Sequence, residues 1–269
     1  KKFISGLLAG AMVLTSVATF GVSEAEAAGE DGLVASYSFE NGLVNDVGED
    51  GDEAVTVGKG ITEYTDSPDY ETGRNGQAIR LNDNYGLKLN QENFGDNFTV
   101  SLWVKPDGAL KENEVIAFLG CDDSDPFQKD NQEQWVAFSG GTLYGGSSEL
   151  CKFWANGNGY STHTTLGETN INTDWHKVTI TGTDETMTAY VDGVQIGSDK
   201  TNHPLDQENG DIYIGVNFWQ DMIFRGLVDD VKVYNTTASA EEVQKDYLRD
   251  IGEPEGFKTA TFSFEDSLA

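Results

Sequence analysis

Phe98-Thr99-Val100-Ser101-Leu102-Trp103-Val104-Lys105-Pro106 decides how this chain folds. Its residues alternate: Phe98, Val100, Leu102 and Val104 fall on one face of an extended segment, and Thr99, Ser101 and Trp103 on the other. Branched and aromatic side chains fit a pleated surface, and Pro106, which has no N–H, ends the run. The same grammar extends both ways. Leu33 to Phe39 alternates loosely, and Ala78 to Leu81 and Gly86 to Leu89 flank an Asn-Asp-Asn turn. Downstream, Val115 to Leu119, Trp135 to Phe138, Trp175 to Thr181, Ile212 to Val216 and Phe224 to Tyr234 read as further strands. Met187 to Val191 and Val194 to Ile196 flank Asp192-Gly193, a two-residue hairpin turn in which both residues need positive φ. Gly140 to Gly159 is rich in Gly, Ser and Asn and reads as a loop-rich insertion.

One helix is expected near the end. Ser239 with Glu242 makes a capping box, Val243 and Tyr247 fall four apart with Leu248 and Ile251 beside them, and Gly252 and Pro254 stop it. A dozen or so strands with one short C-terminal helix predict an all-β, antiparallel two-sheet sandwich. The 269 residues, 38% of them hydrophobic, can bury a sizeable core, and 31 glycines against 5 prolines suit short strands joined by tight turns. A net charge of -29 repels nucleic acid and anionic membrane, so neither is expected as a partner. The carboxylates either face solvent or, in a few places, hold a cation.

The N-terminus reads as a targeting segment. Lys1 and Lys2 are the charged part, Leu7 to Val17 the short apolar part, and Ala25-Glu26-Ala27 the small-residue cleavage site. The expected organisation is a signal peptide over 1–27, a sandwich domain over 28–251, and a linker with the start of a second domain over 252–269. The last expectation rests on a repeat: Lys258 to Leu268 aligns without gaps with Leu33 to Leu43, sharing Ser-Phe-Glu in the same frame. The competing account is a chance match of two aromatic strands. Secretion or display at the cell surface follows from the signal peptide. In an exported chain Cys121 and Cys151 form either a disulfide or two free thiols that never meet.

Tyr37 to Glu40, Gly76 to Leu81, Phe98 to Pro106, Trp175 to Val178, Tyr190 to Val194, Gly226 to Asn235 and Ser239 to Val243 follow one another in an order that resembles the laminin G-like concanavalin A superfamily. The resemblance covers roughly 32 to 250. It implies a jelly roll of two facing sheets, often a carbohydrate-binding or spacer module beside bacterial glycoside hydrolases and adhesins, with a structural calcium between the first and last strands. Carried over, its ligands would be Asp229 and Glu40, and the loop with Asn45 and Asp46 offers further oxygens. On simple alternation Asp229 shares a face with Val231 and Val233, and a buried carboxylate needs a partner: a cation, or backbone N–H groups at a strand corner.

Related family 16 glycoside hydrolases carry Glu-x-Asp-x-x-Glu on one strand, which places the carboxylates on one face beside the glycosidic bond. This chain has no such run, and Glu49 to Glu53 and Asp122 to Asp125 have the wrong spacing. His163, His176 and His203 are isolated, and neither a nucleophile elbow nor a phosphate loop is present. No catalytic residue is assigned. Binding remains: aromatic faces pack on sugar C–H surfaces while amides and carboxylates bond hydroxyls. Trp154, Tyr160 and Asn156 in one segment, and Trp219 and Asn217 in another, are the candidates, on a concave sheet face. Each tryptophan could equally cap the core. The expected function is a non-catalytic carbohydrate-binding module of a secreted multidomain bacterial protein, attached to a glycoside hydrolase, with a glycan or polysaccharide as partner and neighbouring domains of its own chain. The alternative is a structural or adhesive spacer with protein partners.

Overall fold

The computed structural model describes residues 31–48, 52–90, 96–121, 135–141, 150–156, 163–199 and 210–252. The targeting segment, Tyr160 and the repeat at 258–268 lie outside the described residues. The chain begins with β1 (Leu33–Tyr37), β2 (Val55–Val57), β3 (Asp69–Thr72) and β4 (Gln77–Asn82). Next come β5 (Gly86–Lys88), β6 (Phe98–Pro106), β7 (Glu114–Cys121) and β8 (Trp135–Gly140). β9 (Leu150–Asn156), β10 (His163–Asn170), β11 (His176–Gly182) and β12 (Met187–Val191) follow. β13 (Val194–Asp199), β14 (Gly210–Ile214), β15 (Met222–Ile223), β16 (Arg225–Tyr234) and the helix α1 (Ala240–Asp250) complete the set.

The strands pair in the order β2-β5-β14-β7-β8-β9-β10-β13-β12-β11-β6-β16-β4-β3, with β1 beside β16 and β15 beside β7. Every pairing between these strands is antiparallel except that of β15 with β7. The path turns a corner between β10 and β13, which meet only at Gly167 opposite Gly197. A Cβ on Gly167 would stand 2.1 Å from the Ile196 carbonyl oxygen, and one on Gly197 2.1 Å from that of Leu166. Only glycine lets the two backbones approach so closely. On one side of the corner lies a first sheet, β2 to β10. On the other lies a second sheet, β13 to β3, with β1.

The two sheets face each other across the main core. Phe98, Val100, Leu102 and Val104 of β6 join Val178 and Ile180 of β11 and Val228, Val231 and Val233 of β16. Opposite them stand Leu119 of β7, Val136 and Phe138 of β8, Phe153 of β9 and Ile212 of β14. Burying each such side chain stabilises the fold by roughly 1.5–3 kcal/mol. The outward residue Trp103 is covered by the helix: its ring lies 5.9 Å from that of Tyr247, and its Nε1 donates to Asp250 Oδ2 at 3.0 Å. The capping box of Ser239 and Glu242 forms, and Asp192 and Gly193 turn at φ 52° and 74°, as the sequence requires. His176 is structural, with Nδ1 2.7 Å from Asp192 Oδ2.

Two expectations need correction. Leu150–Asn156 is a strand, not part of a loop; its inward face is Cys151, Phe153 and Ala155, and the polar residues around it hid that alternation. The Cys121–Cys151 disulfide does not form. Cys151 is a free, buried thiol. It pairs with Gly140 at one end of β8, whereas Cys121 follows Gly120, the partner of Trp135 at the other end. Five residue steps separate those ends, about 17 Å at ~3.3 Å each, and bridged Cα atoms stand no more than about 7 Å apart.

The corner makes a sharp expectation. Gly197→Ala should destabilise the fold by about 1–3 kcal/mol or more, since backbone atoms must give way. Gly108→Ala, whose Cβ would meet nothing within 4 Å, should leave the urea midpoint nearly unchanged. Equal midpoints for the two variants would show that the corner is not tightly closed.

Candidate functional site

Alternation that sends Val136, Phe138 and Phe153 into the core sends Trp135, Ala137 and Trp154 to the outer face of the first sheet. There they meet Phe118 of β7 and Tyr213 of β14 in a second apolar cluster, with Ile61, Phe218 and Trp219 packed partly buried against it. Trp135 is the hub. Trp154 stands edge-on to it at 4.7 Å and 80°, and Trp219 at 4.9 Å and 82°, the geometry in which positive ring edges meet negative faces. Phe218 and Trp219 also meet Phe118 edge-on, at 4.8 and 5.3 Å. The structure thus brings together, through Trp135, two tryptophans that lie far apart in sequence.

Their roles differ. Trp154 is 3% exposed and its Nε1 donates to Ser139 Oγ at 2.8 Å. It supports the floor of the cluster, and the expectation that it forms a sugar-stacking surface is corrected on that ground. Trp219 and Phe218 are half-buried, so part of each ring faces outward. Asn217 is itself buried: its Nδ2 donates to Asp221 Oδ2 at 2.8 Å and its Oδ1 accepts from the Trp219 N–H at 3.1 Å. It positions the loop. The backbone of Asn156 pairs with His163 at the end of β9. Sequence reasoning missed Trp135, although its alternation with Val136 and Phe138 would have placed it on this face. It also missed Lys152, whose surroundings only the strand register reveals.

Lys152 lies across β8–β9 from Ser139 and is 1% exposed. Its Nζ stands 4.7 Å from the centre of the Trp154 ring and has no hydrogen-bond partner. Burial pulls its pKa down, while the charges of Glu112 and Asp221 push it back up. At the other end of the face Lys88 Nζ pairs with Asp211 Oδ2 at 2.7 Å, and the Tyr213 hydroxyl donates to the same oxygen at 2.9 Å. Glu114 is raised by burial and accepts from the Lys111 and Arg225 N–H groups at 2.8 and 2.9 Å, which fixes the start of β7.

The carboxylates carried over as calcium ligands serve other ends. Asp229 does not share a face with Val231 and Val233. A bulge after it, with Asp230 at φ 47°, resets the alternation, so Asp229 pairs with Trp103 on the outer side while Val228 and Val231 point inward. It is fully buried, with Oδ2 accepting from the Arg74 and Asn75 N–H groups at 2.8 and 3.3 Å and Oδ1 from that of Asp230 at 2.9 Å. Glu40 Oε1 accepts from the Gln77 N–H at 2.6 Å, and Asp46 Oδ2 from that of Ser38 at 2.8 Å. Each pins a turn. The described residues contain no group of three or more acidic, histidine or cysteine side chains placed to hold a metal ion. Glu40, Asp46 and Asp229 therefore do not fit one shared calcium.

Two antiparallel sheets around a common core, with an aromatic outer face on one of them, define a lectin-type jelly roll. The chain matches the family described as the concanavalin A-like lectin/glucanases superfamily over residues 81–244, and it belongs to that family. Among solved structures it is similar to domain 4 of AbnA, a GH43 extracellular arabinanase from Geobacillus stearothermophilus, in complex with arabinotriose. The two are 24% identical with a TM-score of 0.63, over 80% of this chain and 97% of that one. It is also similar to the binding domain of botulinum neurotoxin DC in complex with rat synaptotagmin II, at 13% identity and a TM-score of 0.52 over 81% of this chain. There the match spans about half of the other chain, 52%. At these identities the likeness is one of fold. No curated protein sequence matches the chain.

Asp229 allows a signed test. Burial, reinforced by the Asp230 charge, lifts its carboxyl from 3.8 to about 6 against the pull of the three N–H groups. The folded protein then keeps a proton that the unfolded chain has lost. The stability contributed by this group is full below about pH 4 and falls as pH rises through about 6. The stability of the wild type relative to Asp229→Asn should therefore shrink by about 2–3 kcal/mol between pH 4 and pH 7.5 in urea melts. A difference that grows with pH would mean that the N–H groups outweigh burial.

Proposed function

We propose that this domain is a non-catalytic carbohydrate-binding module of a secreted multidomain bacterial protein, working beside a glycoside hydrolase. One observation carries the reading. The Asn217–Asp221 loop, locked by its own amide and carboxylate, holds two half-exposed rings, Phe218 and Trp219, over an aromatic floor. Rings braced in this way lose little freedom when a sugar packs on them, which is how a shallow site gains affinity. Gln220, exposed between Trp219 and Asp221, offers an amide to hydroxyls at the rim. The arabinotriose complex of AbnA domain 4 makes that trisaccharide the first ligand to try. Export is supported by the charged, apolar and small-residue pattern at the N-terminus, and the choice of binding over hydrolysis by the lack of a glycosidase carboxylate run in the sequence.

Calorimetry with arabinotriose and retention on polysaccharide affinity gels test the reading. Wild type should bind, and Trp219→Ala should lose tenfold or more in affinity, about 1.4 kcal/mol, while staying folded with a lowered melting temperature from the lost contacts with Trp135 and Phe118. Unchanged binding in Trp219→Ala would remove this loop from the site. No retention on any glycan would favour an adhesive spacer with protein partners.

A further inference from the structure

The aromatic face ends in two buried polar atoms that the protein leaves unmatched. One is a donor, Lys152 Nζ; the other is an acceptor, Asn113 Oδ1. Both flank the same step of β8. Lys152 pairs with Ser139, and the Asn113 N–H donates to the carbonyl of Gly140 at 2.9 Å. The Ser139 hydroxyl already accepts from Trp154. Asn113 is held at φ 57°, and its own carbonyl accepts from the Met222 N–H at 3.2 Å, so its backbone is fixed while its amide oxygen has no partner. A buried ammonium without hydrogen bonds is a cost that a methionine of similar length would not carry. The Trp154 ring and two nearby carboxylates favour the charge, but none of them accepts a hydrogen bond from it.

A sugar hydroxyl both accepts and donates a hydrogen bond, so one such group can satisfy a lysine and an amide oxygen together. The charge of the neighbourhood narrows the ligand further. Glu112 and Asp221 both act electrostatically on Lys152, giving two carboxylates to one ammonium, in a chain of net charge -29. A second anion brought by the ligand would be repelled. We propose that Lys152 and Asn113 form the specificity-determining end of the binding face and read a hydroxyl of an uncharged sugar, discriminating against uronates. This rests on the glycan-binding reading above. Both atoms are closed off from solvent, so neighbouring side chains must move aside for the hydroxyl to reach them.

The test titrates wild type, Lys152→Met and Asn113→Gly with arabinotriose and with a galacturonic acid trimer by calorimetry, and melts each free protein. Glycine keeps the positive φ at 113 and removes only the amide. The expected result is that wild type prefers arabinotriose at least tenfold over the uronate. Lys152→Met should lose tenfold or more in affinity while its ligand-free melting temperature holds or rises, and Asn113→Gly should lose affinity in the same direction. Gain of stability with loss of binding is a signature that a purely structural lysine would not give. Affinity unchanged in a folded Lys152→Met, or a wild type that prefers the uronate, would overturn the proposal while leaving glycan binding intact. Should Lys152→Met fail to fold, Asn113→Gly alone decides. A wild type that binds neither trimer overturns this proposal, and one that is also retained on no glycan gel removes the glycan-binding reading with it.

Discussion

Strand β8 is buried on both faces, and the rest of the molecule is arranged around that constraint. All six of its residues, Trp135 to Gly140, are buried. Val136 and Phe138 meet the core between the sheets, while Trp135 and Ala137 meet the outer cluster. Because side chains alternate with a period of two, a slip of one residue would exchange the two sets, and neither would fit its new surroundings. The register of β8 against β7 and β9 therefore fixes the core and the candidate site in one stroke. The glycine corner between β10 and β13 then closes the second sheet over the core without disturbing that register.

Much of this was legible in the sequence where a local rule decides the outcome. The inward face of β6, the Asp192-Gly193 turn and the Ser239–Glu242 cap each depend on a few neighbouring residues, and each formed as read. Legibility failed where long-range pairing decides. The strand Leu150–Asn156 sits among polar residues whose composition speaks for loop, and only its partners β8 and β10 make it a strand. The two cysteines look like a pair in one dimension and stand at opposite ends of a sheet in three. At Asp229 a single bulged residue inverted the face argument.

The site was half legible for the same reason. Trp219 and Asn217 were visible because aromatic and amide residues cluster in one short loop. Trp154 was chosen on composition and proved to be part of the floor. Lys152 carried no signal of its own: beside it stand the ring of Trp154, two residues on, and two acidic neighbours and an unpaired amide oxygen that all lie far from it in sequence. The acidic residues carried over from the family pattern turned out to bond backbone N–H groups. Carboxylates are well suited to that task, since each can accept from several donors at a tight turn.

The central claim is that ligand recognition resides on the outer face of the first sheet. Amide chemical shifts of the isotope-labelled protein, followed while arabinotriose is added, test it most directly. The largest shifts are expected in β8, β9 and the Asn217–Asp221 loop, with those of β6 and β11 beneath the helix unmoved. Shifts centred on the second sheet, with the Trp219 loop unperturbed, would contradict it.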